Sequence, residues 1–282
     1  MNSREIKELV RSHRLGIFPR RMGQNFLVDP RILARIVGAL GPVPGDTVLE
    51  IGAGLGALTE GLIESGASVL AVEKDPGFFR VLSDRLKGVE RLQLIHADIL
   101  TFDLGSHAGN LPKSILVAGN IPYSLTSPIL EFLLRQRRWV KRAILTVQKE
   151  VALRIVAEPG TKAYSSITIL AKVAFKPSIA FTIPPNCFYP QPKVTSAVLL
   201  LDSLESPPIP PAEEEEVLKL ARSLFMHRRK TLLNVLSLSE SEREKSEFRL
   251  ILEKAGLDPL RRPETLGFPE LLHLKRAIVP AR

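Results

Sequence analysis

Thr47-Val48-Leu49-Glu50-Ile51-Gly52-Ala53-Gly54-Leu55-Gly56-Ala57-Leu58-Thr59 decides the fold of this 282-residue chain. Residues 47–51 form a short aliphatic run, the pattern of a strand buried on both faces. Three alternating glycines follow, then a helical stretch over 56–66. Glycine there lets the chain turn sharply and lets main chain approach a ligand with no Cβ in the way. Outward from this turn the alternation continues. Strands are predicted at 68–73, 91–96, 114–119 and 142–148, with helices at 76–87 and 125–136 between them. Pro76 falls in a first helical turn, where proline is tolerated. Residues 164–183 read as a helix and then a strand, and 194–202 as another strand. Alternating strands and helices imply an α/β fold with a parallel, Rossmann-like sheet.

Composition sets the outer bounds. Hydrophobic residues make up 45% and charged residues 24%, a globular rather than disordered balance. No apolar run reaches the ~18–20 residues that cross a bilayer. The N-terminus lacks the apolar core of a secretory signal, so a cytoplasmic setting without membrane attachment is expected. One cysteine, Cys187, excludes a disulfide framework, and the five scattered histidines show no metal-ligand spacing. No metal is expected. Net charge is +9, and residues 1–41 hold +5 of it. A local basic excess attracts polyanions. Further basic clusters occur at 135–142, with Trp139 inside, and at 227–230, an arrangement suited to nucleic acid. The prolines of 207–211 cannot join a sheet or helix interior. They divide the chain into a basic N-terminal arm (1–41), an α/β domain (42–206) and a small all-helical domain (207–282).

Three acids accompany the glycine turn. Glu73 ends the second predicted strand, where a carboxylate can bind ribose hydroxyls. Asp98 follows the third and can accept from the exocyclic amine of an adenine. Glu50 lies beside the turn itself. A glycine turn alone would also serve NAD. Here, however, the turn is G-x-G-x-G, and a carboxylate at 50 would repel a pyrophosphate while tolerating a cation. The combination points to S-adenosylmethionine, a phosphate-free sulfonium. Asp75 reads as the N-cap of the helix that follows.

Asn120-Ile121-Pro122-Tyr123 follows the fourth strand on the same rim. The amine of adenine is a poor nucleophile, because its lone pair is delocalised into the ring. Its methylation needs acceptors aimed at the amino hydrogens. The Asn120 side chain and the Ile121 carbonyl can supply them, with Pro122 biasing Ile121 toward an extended conformation. Tyr123 can stack on the base.

At these residues the chain resembles the KsgA/RsmA family of ribosomal RNA adenine dimethyltransferases, relatives of the Erm methylases. The segments that carry the resemblance are 23–27 (GQNFL), the 50–59 turn, 72–75 (VEKD), 97–100 (ADIL) and 120–123 (NIPY). Segments 147–150 (VQKE), 188–193 (FYPQPK) and 225–230 (FMHRRK) add to it. The resemblance implies a class I S-adenosylmethionine-dependent methyltransferase fold, with S-adenosylhomocysteine as product. It implies cofactor contacts from Asn25, Leu27, Gly52, Glu73, Asp98 and Asn120. It implies catalysis by Asn120 and Tyr123, base stacking by Tyr123 and Phe188, and RNA contacts from Arg20, Arg21, Arg228, Arg229 and Lys230.

The implied reaction is dimethylation of two adjacent adenosines near the 3′ end of 16S RNA within the immature 30S subunit. A monomer is the default expectation. Thr195 stands where the family often has aspartate, outside the cofactor set. Competing readings are an Erm-like enzyme acting on large-subunit RNA, and an assembly factor whose catalysis is incidental.

Overall fold

The computed structural model describes residues 3–13, 25–107, 114–239 and 244–278. Its elements begin with α1 (Ser3–Ser12), β1 (Phe26–Leu27), α2 (Pro30–Leu40), β2 (Thr47–Ile51), α3 (Ala57–Glu64), β3 (Ser68–Glu73), α4 (Pro76–Arg85) and β4 (Leu92–His96). Then come α5 (Leu104–His107), β5 (Ile115–Asn120), α6 (Thr126–Arg135), β6 (Val140–Gln148), α7 (Lys149–Ile155) and α8 (Ser166–Lys172). The remainder are β7 (Phe175–Ile183), β8 (Phe188–Tyr189), β9 (Ser196–Ser203), α9 (Glu214–Met226), α10 (Leu232–Ser239), α11 (Lys245–Lys254) and α12 (Phe268–Ile278). Two of the predicted strands, 47–51 and 68–73, match the observed strands residue for residue.

Seven strands form one sheet in the order β4-β3-β2-β5-β6-β9-β7. Strands β4 through β6 are mutually parallel, as their alternation with helices requires. The sheet as a whole is mixed rather than parallel, because β9 runs antiparallel to β6. That reversal brings Ser196, at the start of β9, opposite Gln148, at the end of β6. Both lie on the rim that carries the carboxyl ends of the parallel strands. Strand order reverses between β2 and β5, the place where open α/β sheets bind ligands.

Burial follows from the residue pattern. Val48, Leu49, Val117 and Ala118 are fully buried in the sheet. Helix α2 buries Ile32, Leu33, Ile36 and Leu40 along one stripe. Asp29 caps its first turn, and Gly41 ends it in the left-handed conformation. Asp75 caps α4 as its position predicts, accepting from the N–H groups of Gly77 and Phe78 at 2.7 and 3.0 Å. Such a cap contributes about 1 kcal/mol.

The chain forms two units. The first holds residues 1–152 and 176–203. The second holds 153–175 and 204–282. The final crossing between units lies between Ser203 and Leu204. The excursion at 153–175 was not legible in sequence, because no proline or glycine run marks its ends. Within the second unit, the Tyr164 hydroxyl donates to the Leu266 carbonyl at 2.8 Å, and its ring meets Phe225 edge-on. Those contacts account for residues 153–175 grouping with the C-terminal helices. Glu213 and Glu216 at the start of α9 pair with Lys275 and Arg276 of α12.

Gly56 is held at φ +89°, and a Cβ built on it would stand 2.7 Å from Leu82 Cδ2. Gly56→Ala is therefore expected to cost roughly 1–3 kcal/mol through strain and crowding. A urea midpoint equal to that of the wild type would contradict this.

Candidate active site

A cavity of about 550 Å³ opens where β2, β3 and β5 end. Asn25, Leu27, Gly52, Glu73, Asp98, Asn120 and Tyr123 all line it, so seven of the residues singled out in the sequence converge on one space. Strand register explains the convergence. Glu50 pairs with Ala71 on one side and Ala118 on the other. Two residues further along each strand stand Gly52, Glu73 and Asn120. With a side-chain period of two, all three occupy one level on one face of the sheet.

Each acid has a distinct setting. Glu73 is nearly buried and accepts from the N–H of Gly54 at 2.8 Å and of Asp75 at 2.7 Å, one on each oxygen. Burial pushes its carboxyl above the usual range, and the two N–H groups oppose that. Asp98 accepts from Lys74 at 2.7 Å and from the N–H of Leu100 at 3.0 Å. The Lys74 hydrogen bond is the main reason its carboxyl is held below the usual range. Glu50 is 1% exposed. It accepts from the Thr59 hydroxyl at 2.6 Å, and burial pushes it up to about 8 against that bond. The cavity therefore carries acids and few cations. It suits a cationic, phosphate-free ligand better than a pyrophosphate. A Cβ built on Gly52 meets nothing within 4 Å, so this glycine leaves open space at the cavity wall. Together these features fit an adenosine sulfonium such as S-adenosylmethionine.

Asn120 Nδ2 donates to the main-chain carbonyl of Asn25 at 2.7 Å. A carbonyl can only accept, so this bond fixes which end of the amide is nitrogen and turns Oδ1 the other way. Gly119 precedes it for a steric reason. A Cβ there would lie 2.9 Å from Ile121 Cγ2 and 3.2 Å from the Ile51 carbonyl oxygen. The Tyr123 hydroxyl meets Ser196 Oγ at 2.6 Å. Burial raises the phenol above its ordinary value, so Tyr123 is a neutral ring and not a base.

Some predicted residues fall elsewhere. Phe188 does not line the cavity. It is buried against Leu27 across the short β1–β8 pair and belongs to the core. Arg20 and Arg21 lie outside the described residues. Arg228 pairs with Glu264 at 3.1 Å and donates to the Lys162 carbonyl at 2.7 Å, which gives it a structural task within the second unit. Arg229 and Lys230 are exposed. The basic cluster at 135–142 sits where β6 begins, the opposite end of the strand from the cavity rim. Arg142 is tied there to Asp202 at 2.6 Å.

The sequence reading also missed contributors. Ile6 of α1 is 1% exposed, packs with Leu55, Phe78 and Val81, and lines the cavity. Phe78 meets Phe26 edge-on. The amphipathic pattern of α1 was a signal that the helix buries one face, but nothing in it specified what that face covers.

Residues 18–273 match the family described as ribosomal RNA adenine dimethylase. The ribosomal RNA small subunit methyltransferase A of Geobacillus thermodenitrificans is 39% identical over 269 residues, 93% of this chain and 92% of that protein. Its counterpart from Moorella thermoacetica is 39% identical over 272 residues, with 93% of each chain covered. Among solved structures, a dimethyladenosine transferase from Plasmodium falciparum superposes with a TM-score of 0.73 at 27% identity, over 88% of this chain and 95% of that one. The 23S rRNA methyltransferase ErmE superposes at 0.66 and 25% identity, over 90% and 99%.

The buried Glu50 generates a pH prediction. Its folded value of about 8 exceeds the ordinary 4.5, so the native state holds a proton that the unfolded chain has released between those values. Stability therefore falls as pH rises through that window. Glu50→Gln carries no charge to bury and should melt higher than wild type at pH 8–9, with the gap closing toward pH 4.5. A gap independent of pH would contradict the assignment.

Proposed function

Because the chain belongs to the ribosomal RNA adenine dimethylase family, we propose that its cavity holds the methyl donor beside one adenosine taken out of its stack. The enzyme is an S-adenosylmethionine-dependent adenine N6,N6-dimethyltransferase of 16S ribosomal RNA. Glu73 would hold the ribose of the cofactor, Asp98 its adenine amine, and the main chain around Gly52 its amino-acid end. When bound, the cofactor supplies an electrophilic methyl group.

The single observation that carries the mechanism is the Asn120–Asn25 bond. It orients Asn120 so that Oδ1 can accept from the target amine, with the Ile121 carbonyl as a second acceptor. These acceptors would draw on the amino hydrogens so that nitrogen gains tetrahedral character. As the N–CH3 bond forms, the S–CH3 bond would break to leave S-adenosylhomocysteine, and the excess amino proton would pass to solvent. Tyr123 supplies a stacking face that sets the plane of the base. Positioning of this kind lowers a barrier without any strong base.

The finer reading concerns the substrate. Two adjacent adenosines near the 3′ end, reached in the immature 30S subunit, form the proposed target, and a cytoplasmic monomer the proposed working form. The small-subunit relatives, matched over more than nine-tenths of both chains, support this choice over large-subunit RNA. Arg229 and Lys230, exposed in the second unit, are the proposed RNA contacts there.

Labelled methyl transfer to unmethylated small and large subunits, followed by nucleoside analysis, tests the reading. Dimethyladenosine in the small-subunit RNA is expected, and label confined to the large subunit would overturn the substrate assignment. Asn120→Ala should abolish transfer while sparing subunit binding, and near-normal turnover in that variant would remove Asn120 from catalysis. Neutralising Arg229 and Lys230 to Gln should weaken RNA binding and reduce its salt slope by roughly one per side chain. An unchanged slope would exclude both residues from the interface.

A further inference from the structure

Tyr123 is held at two points. Its main-chain carbonyl accepts from the Thr126 hydroxyl at 3.0 Å. Its phenol meets Ser196 Oγ at 2.6 Å, on the far side of the ring. Ser196 is itself immobilised. It is 0% exposed, it faces Gln148 across the antiparallel β6–β9 pair, and its neighbour Thr195 accepts from the Lys149 N–H at 3.0 Å. Among the described residues, Ser196 is the hydrogen-bond partner of the phenol. Without the serine, the ring would be fixed only at its Cα end, and rotation about its two side-chain torsions would carry it across the cavity wall it lines.

We propose that Ser196 is a positioning residue that pins the Tyr123 ring in the plane required for stacking on the target adenine. It acts through Tyr123 and touches neither cofactor nor base. The inference rests on the stacking role proposed above for Tyr123. It assigns a task to the start of β9, a segment whose sequence suggested only a strand. Residue 195 itself contributes its carbonyl, which accepts from the Lys149 N–H.

The test is a double-mutant cycle with Ser196→Ala, Tyr123→Phe and the pair, each loaded with S-adenosylmethionine and mixed with excess unmethylated small subunits. Each single variant removes one hydroxyl and adds no bulk, so the buried site can accept both. A net hydrogen bond of ordinary strength predicts a roughly 2- to 10-fold fall in the maximal single-turnover rate for each. The double variant should fall no further than the worse single. Cofactor affinity by calorimetry and the subunit concentration giving half-maximal rate should stay at wild-type values.

Additive losses, or an Ser196→Ala rate equal to wild type, would overturn the pinning. Loss of cofactor affinity in Ser196→Ala would show a general structural role and overturn it equally. Failure of the wild type itself to methylate the small subunit would overturn the proposed function first, and the stacking role with it.

Discussion

Parallel pairing of β2 with β3 and β5 sets the positions of nearly everything at the rim. Glu50 stands between Ala71 and Ala118, and one pleat beyond this row lie Gly52, Glu73 and Asn120. A register slip of one residue on either side would turn Glu73 or Asn120 to the opposite face. The aliphatic faces of the strands oppose such a slip, since Val48, Val69, Leu70 and Val117 would leave their packed positions with it. Core packing thus fixes the spacing of chemical groups that contribute little to the core themselves.

The rim also stores electrostatic cost. Glu50 and Glu73 are both buried on one wall, and each is raised by desolvation. The main-chain N–H groups of Gly54 and Asp75 offset part of this for Glu73, while Glu50 has a single hydroxyl. A cationic ligand would favour the ionised form of both carboxyls and a pyrophosphate would oppose it, which separates this site from dinucleotide sites built on a similar glycine turn. The N-terminal segment completes the wall from the other side, through the Asn25 carbonyl, Leu27 and Ile6.

What the sequence made legible was local and periodic. The parallel strands, the glycine turn, the N-cap at Asp75 and the acids at strand ends all follow from short-range pattern, and together they locate the cavity wall. Contacts between distant segments were not legible. The Tyr123–Ser196 bond spans 73 residues and depends on β9 running antiparallel, a direction that its composition does not encode. Phe188, an aromatic beside prolines, suits a ligand face or a core equally in sequence, and its pairing with Leu27 joins segments too distant for short-range pattern to show. Arg228 looked like its neighbours until Glu264 and the Lys162 carbonyl were placed beside it. The helical excursion at 153–175 failed for the same reason, since its partners lie near residues 225 and 266.

If three strand ends present one cofactor to one amide, a crystal structure with S-adenosylhomocysteine bound will show the ribose hydroxyls on the Glu73 carboxylate, the adenine amine on Asp98, and the sulfur facing Asn120. A ligand whose ribose contacts neither oxygen of Glu73, or whose sulfur lies away from Asn120, would contradict that arrangement.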